Sequence, residues 1–123
     1  MTAIYLWLNA ALYLLFAAWC TLSWQGTSGK LGYLSLSRSG QSEYLVIYGG
    51  LQLGLALFFA WTAWRPAMRE AGLAFALFLY GGIVLYRVIT VAMWWPVSGL
   101  TRVVAGLEIA LLVGAILLAM QRR

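Results

Sequence analysis

The chain has no histidine, one cysteine and three acidic residues in 123. Transition-metal and haem centres draw their ligands from those residue types, so no metal and no cofactor is expected. A single thiol, Cys20, excludes an intrachain disulfide and reads as a small apolar filler in a helix. Nucleophilic catalysis lacks its parts as well. Serine and threonine are present, but no imidazole exists to activate them, and the one lysine, Lys30, sits alone in a glycine-rich segment. No catalytic residue is assigned, and the remaining route to an enzyme is acid–base work by Glu43 or Glu108.

Charge is scarce too, at 9% of residues against 64% hydrophobic, with a mean hydropathy of +0.89. A soluble domain of this length leaves much of its surface wet and cannot hide so apolar a composition. The chain is therefore read as one all-α integral membrane domain. The net charge of +5 does not point to nucleic acid, because the eight basic residues are scattered singly or in pairs rather than gathered on one polar face. The N-terminal apolar run has no basic residue before it and is longer than a signal-peptide core, so it is expected to be retained.

What the chain has in quantity is long apolar runs. A hydrocarbon core about 30 Å thick takes about 20 residues of helix, and four segments qualify: 4–24, 44–64, 71–95 and 101–120. Continuous rather than alternating hydrophobicity favours helices over barrel strands. Trp24, Trp61, Trp64, Trp94 and Trp95 fall near the ends, as an interfacial aromatic belt requires. Links at 65–70 and 96–100 are short enough to make consecutive helices antiparallel neighbours. The expected fold is an up-down four-helix bundle. Within the longer first connection, the stretch KLGYLSLSR fits a short amphipathic turn at the interface or a solvated loop with incidental leucines.

Four spans put both termini on one side. That side carries Arg65, Arg69, Arg122 and Arg123, against Lys30, Arg38 and Arg102 on the other. The positive-inside rule then leans toward cytoplasmic termini.

One basic residue belongs to neither set. Arg87 lies eight residues before Trp95, about 12 Å down at 1.5 Å per residue. Glu108 lies seven residues after Thr101, about 10.5 Å down the next helix, and Gln52 lies eight residues into the second span, about 12 Å deep. An isolated charge at that depth costs about 3 kcal/mol on insertion scales. Arg87 is therefore expected to pair with Glu108, with Gln52 at the same level. Helical spacing adds Thr90 to the Arg87 face and Tyr48 to the Gln52 face. Tyr86 adjoins Arg87 in sequence, and Glu43 and Arg102 are candidates for a second pair at the rim. These eight residues form the candidate ligand-binding set. Asn9, on the first helix, is expected to make an interhelical hydrogen bond. Gly50-x3-Gly54 and Gly106-x3-Ala110-x3-Gly114 are small-residue patterns that suit a homodimer face.

The stretch SEYLVIYGGLQLGLALFF, with Arg87 and Glu108 further on, resembles a family of small bacterial four-helix membrane proteins of unknown function, itself similar to DoxX-like membrane proteins. The corresponding residues are Glu43, Tyr48-Gly49-Gly50, Arg87 and Glu108. Where that family often has an acid after the glycine pair, this chain has Gln52. The resemblance implies a bacterial inner-membrane location, a four-helix fold and partnership with a membrane enzyme, but no activity.

Two classes of function follow. In one, the chain binds or carries an amphiphile, such as a membrane lipid, a quinone or an organic acid, with its head at Arg87. In the other, it is an accessory subunit whose buried ion pair only fixes the bundle. A proton-coupled transporter fits less well, because small multidrug exporters of this size use a glutamate on the first helix, where this chain has none.

Overall fold

Helix is the only regular structure among residues 1–122, which the computed structural model describes. Arg123, counted above toward the charge of one membrane face, lies outside the described residues. Four helices are long and apolar enough to cross a membrane: Thr2–Leu22, Arg38–Trp64, Pro66–Met93 and Gly99–Met120. The first is α1 (Thr2–Leu22), followed by a short α2 (Trp24–Lys30). The second is α3 (Arg38–Leu45), a π-helical stretch over Val46–Leu51, and α4 (Gln52–Trp64). The third is a 3₁₀ turn at Pro66–Met68 running into α5 (Arg69–Met93), and the fourth is α6 (Gly99–Met120).

The second long helix starts at Arg38, six residues before the expected 44. Polarity made Arg38–Glu43 read as loop, but Ser37 caps it: its hydroxyl accepts a hydrogen bond from the Gly40 N–H at 3.1 Å. Satisfying an orphan donor there starts the helix before the apolar run does. The first connection likewise holds α2 rather than an unbroken loop. Thr27 and Ser28 turn their hydroxyls onto Ser23 and Gln25 carbonyls, and Thr27 also accepts from the Tyr44 hydroxyl at 2.9 Å. The KLGYLSLSR stretch is non-helical between Gly32 and Arg38. Beyond Gly32, whose φ is +98°, its side chains diverge: Leu34 is fully exposed while Tyr33 packs edge-on against Tyr44 and Tyr48.

The packing register confirms an up-down order. Tyr13 stacks on Phe59, Phe59 meets Phe75, and Arg87 meets Glu108, each pair joining antiparallel neighbours. Two glycines allow close approach. A Cβ at Gly49 would lie 2.7 Å from the Thr21 hydroxyl, and one at Gly72 would lie 2.6 Å from the Thr62 hydroxyl. The YGG block thus places a glycine where the π-helical stretch crosses α1.

Although Ala17, Cys20 and Tyr44 are buried toward the other end, the main hydrophobic cluster occupies one half of the bundle. Tyr5, Leu6, Phe59, Leu73, Tyr80 and Ala115 lie in it, toward the end that holds Met1 and Met120. We call this the terminal half and the opposite one the loop half. Past Tyr80 on α5, and before Leu111 on α6, no residue is fully buried. A Cβ at Gly82 or Gly106 would meet nothing within 4 Å, so these loop-half glycines face open space.

Candidate functional site

Arg87 and Glu108 meet in the loop half. Arg87 Nε donates to Oε2 of Glu108 and Nη2 donates to Oε1, both at 2.8 Å. Two parallel N–H donors on one carboxylate are the strong, geometrically specific form of this contact. Arg87 lies six residues before the end of α5 and Glu108 nine after the start of α6, about 9 Å and 13.5 Å of helix respectively. Each charge cancels the other at a depth where either alone would be costly.

The pair is not sealed. The carboxylate side chain is 14% exposed, the guanidinium 30%. Arg carries five N–H donors, and only two are engaged among the described residues. The Nη1 edge therefore projects beyond the carboxylate with its donors unused.

The rest of the candidate set divides. Thr90 stays beside the pair, its hydroxyl donating to the Arg87 carbonyl at 3.2 Å. Tyr48 makes no hydrogen bond to the pair; its hydroxyl shares a 3.2 Å hydrogen bond with that of Tyr33 and its ring stacks on Tyr44. Gln52 does not join the pair. Its amide donates at 3.4 Å to the Ile47 carbonyl, an acceptor within its own helix five residues back. The second helix starts at Arg38, so Gln52 lies fourteen residues in rather than eight, and the π-helical stretch just before it presents a local carbonyl that the amide takes. Tyr86 is 72% exposed and points away from Arg87, as its position one residue along the helix dictates. Glu43 and Arg102 are both exposed and form no ion pair with each other. Arg102 instead lies back toward Gly99.

A second polar cluster lies in the core of the terminal half. Asn9 is fully buried, donates through Nδ2 to the Tyr5 carbonyl at 2.8 Å, and accepts through Oδ1 from the Tyr80 hydroxyl. The interhelical bond expected of Asn9 is thus made to α5. Tyr5, which the sequence did not single out, donates to the Leu111 carbonyl of α6 at 2.8 Å. Only its position one turn before Asn9 hinted at a shared face.

Two cavities of about 240 Å³ open on the surface, and neither is lined by Arg87 or Glu108. One is an apolar groove between α1 and α4, walled by Trp7, Leu14 and Leu57 and floored by alanines. The other, between α5 and α6 in the terminal half, is lined in part by Glu70 and Arg122. No family model, curated protein or solved structure matches this chain.

Proposed function

We propose that this protein binds an amphiphilic small molecule in the membrane, holding its anionic or carbonyl head on the free edge of Arg87. The supporting observation is the half-used guanidinium. One edge is held by Glu108 at 2.8 Å; the other has no partner among the described residues and lies between the loop-half ends of α5 and α6, where no residue of either helix is fully buried. A guanidinium already balanced by a carboxylate tolerates apolar surroundings, and its spare donors suit a carboxylate, phosphate or quinone carbonyl. The tail would lie along the apolar flank of α5 and α6, where Leu85, Val88 and Leu107 are exposed. The ligand class is thus a lipid, quinone or organic acid.

Thermal-shift and native mass measurements with oleate and a short-chain ubiquinone test this reading. The expected result is stabilisation of the wild type by one of them and its loss in the double variant Arg87→Met/Glu108→Leu, which removes the donor edge without leaving a lone charge. If neither probe shifts the wild type, or both proteins respond alike, the reading is wrong.

A second reading is favoured by the same pair's bidentate closure: an accessory subunit, clipped by Arg87–Glu108 and offering the apolar loop half to a membrane enzyme. Here the double variant keeps its partner on copurification, whereas loss of the partner would refute it. In either reading, we place the protein in a bacterial inner membrane with cytoplasmic termini, on the four-to-three distribution of basic residues. A C-terminal reporter active only outside the cytoplasm would reverse that orientation.

A further inference from the structure

The seam between α5 and α6 opens at the end of the bundle farthest from their connecting link. Glu70, Leu73, Ala74 and Leu77 of α5, with Ala119 and Arg122 at the end of α6, line a cavity of about 240 Å³ there. The α5 residues fall at i, i+3, i+4 and i+7, a single stripe of the helix, so the cavity is a groove along its axis. Leu73 is almost fully buried and forms the floor. Alanines at 74 and 119 leave the hollow that larger side chains would fill.

The groove's charged groups are a carboxylate from one helix and a guanidinium from the other. They have opposite sign and share one cavity, yet they do not pair. Among the described residues the sole ion pair is Arg87–Glu108, and neither the Glu70 nor the Arg122 side chain makes a hydrogen bond. The neighbouring Arg69 is committed elsewhere, with Nε donating to the Ala63 carbonyl at 3.2 Å. Exposed charges are usually just solvated. These two differ in lining one hollow without pairing across it.

Depth and polarity then specify the occupant. Leu77 lies seven residues beyond Glu70, about 10.5 Å along the helix axis, which is most of one leaflet's hydrocarbon depth of about 15 Å. Trp61 and Trp64 end α4 at this same level, as interfacial tryptophans do. A groove with charges at the headgroup level and an apolar floor below fits one phospholipid, its head at the mouth and an acyl chain along Leu77. Arg122 donates to phosphate oxygens. Glu70 calls for a donor, and a primary ammonium supplies N–H groups that a trimethylammonium lacks. We infer that the α5–α6 groove bounded by Glu70 and Arg122 is a binding site for a phospholipid with a phosphoethanolamine head. The site uses neither Arg87 nor Glu108, so it stands or falls independently of the function proposed above.

Native mass spectrometry of the full chain in detergent, titrated with phosphatidylethanolamine, phosphatidylcholine and phosphatidylglycerol of matched acyl chains, provides the test. The ethanolamine lipid should be retained about five-fold over the choline lipid, the gain expected of one wet charge-assisted contact. Glu70→Gln should bring that ratio to about one, and Arg122→Gln should weaken both lipids alike, because phosphate is common to them. Glu43→Gln, an exposed acid at the opposite end, should leave the preference intact. Equal retention in the wild type, a preference that survives Glu70→Gln, or lipid binding indifferent to Arg122→Gln would overturn the assignment. So would tightest binding of the glycerol lipid, which would mark a general anion site.

Discussion

Two of the polar contacts that join helices in this bundle have opposite surroundings. Asn9 and Tyr80 link α1 to α5 at 0% and 2% exposure, in the tightest part of the core. Arg87 and Glu108 link α5 to α6 in the loop half, where the guanidinium is 30% exposed and no residue of α5 past Tyr80 or of α6 before Leu111 is fully buried. The neutral contact is closed, since no buried side-chain nitrogen or oxygen lacks a partner among the described residues. The charged contact is balanced but retains unused donors. Burial thus sorts the two. Neutral amide and phenol groups satisfy each other in a dry interior at little cost, whereas an ion pair loses more on desolvation than its attraction returns. A pair left partly open keeps donors for something else.

The largest effect should come from breaking the charged contact one-sidedly. Glu108→Leu leaves Arg87 without its counter-charge and should destabilise the fold by about 3 kcal/mol, read as a lower unfolding midpoint in detergent. Arg87→Met/Glu108→Leu should recover most of that loss, because two apolar side chains of similar volume suit the same place. If the double variant is as unstable as Glu108→Leu, the pair does more than neutralise charge and the contrast between the two contacts fails.

A glycine comparison sharpens the packing side of the contrast. Gly72→Ala in the terminal half sets a methyl 2.8 Å from Thr62 Cβ, an atom fixed to the backbone that cannot rotate away. Overpacking of this kind should cost about 2 kcal/mol. Gly82→Ala, ten residues along the same helix, meets nothing within 4 Å and should gain about 0.5 kcal/mol from reduced backbone entropy. Similar losses at both positions, measured as shifts in unfolding midpoint, would mean that the loop half is as tightly packed as the core.

The sequence makes the four long helices and the Arg87–Glu108 pair legible because both depend on counting. Apolar length sets the spans, and similar rises counted from Trp95 and Thr101 bring residues 87 and 108 to nearby levels. Gln52 was counted in the same way and failed, because its helix starts at Arg38 and the Ile47 carbonyl, a nearer acceptor, lies within that helix. Ser37 was legible in principle as a cap, but the polar residues after it masked the signal. Glu70 and Arg122 were read only as link and terminal charges. Their common groove arises from two alanines on different helices, which neither periodicity nor composition connects. The small-residue patterns divide in the same way: a Cβ at Gly114 would lie 3.2 Å from the Tyr5 ring, while Gly50, Gly54 and Gly106 face open space.

The smallest expected loss is the most direct measure of the closed contact. Tyr80→Phe keeps the ring in the core and removes only the hydroxyl that donates to Asn9 Oδ1. Asn9 would still donate to the Tyr5 carbonyl, so a single acceptor loses its partner. In water-soluble cores such a loss costs 1 kcal/mol or more, whereas hydrogen bonds between membrane helices average about 0.6 kcal/mol. A loss of about 1 kcal/mol is therefore expected for Tyr80→Phe, well below that of Glu108→Leu. Should Tyr80→Phe match Glu108→Leu, the Asn9 cluster would be holding α1 against α5 through more than one bond. The terminal half would then owe its order to that polar centre rather than to the close packing around it.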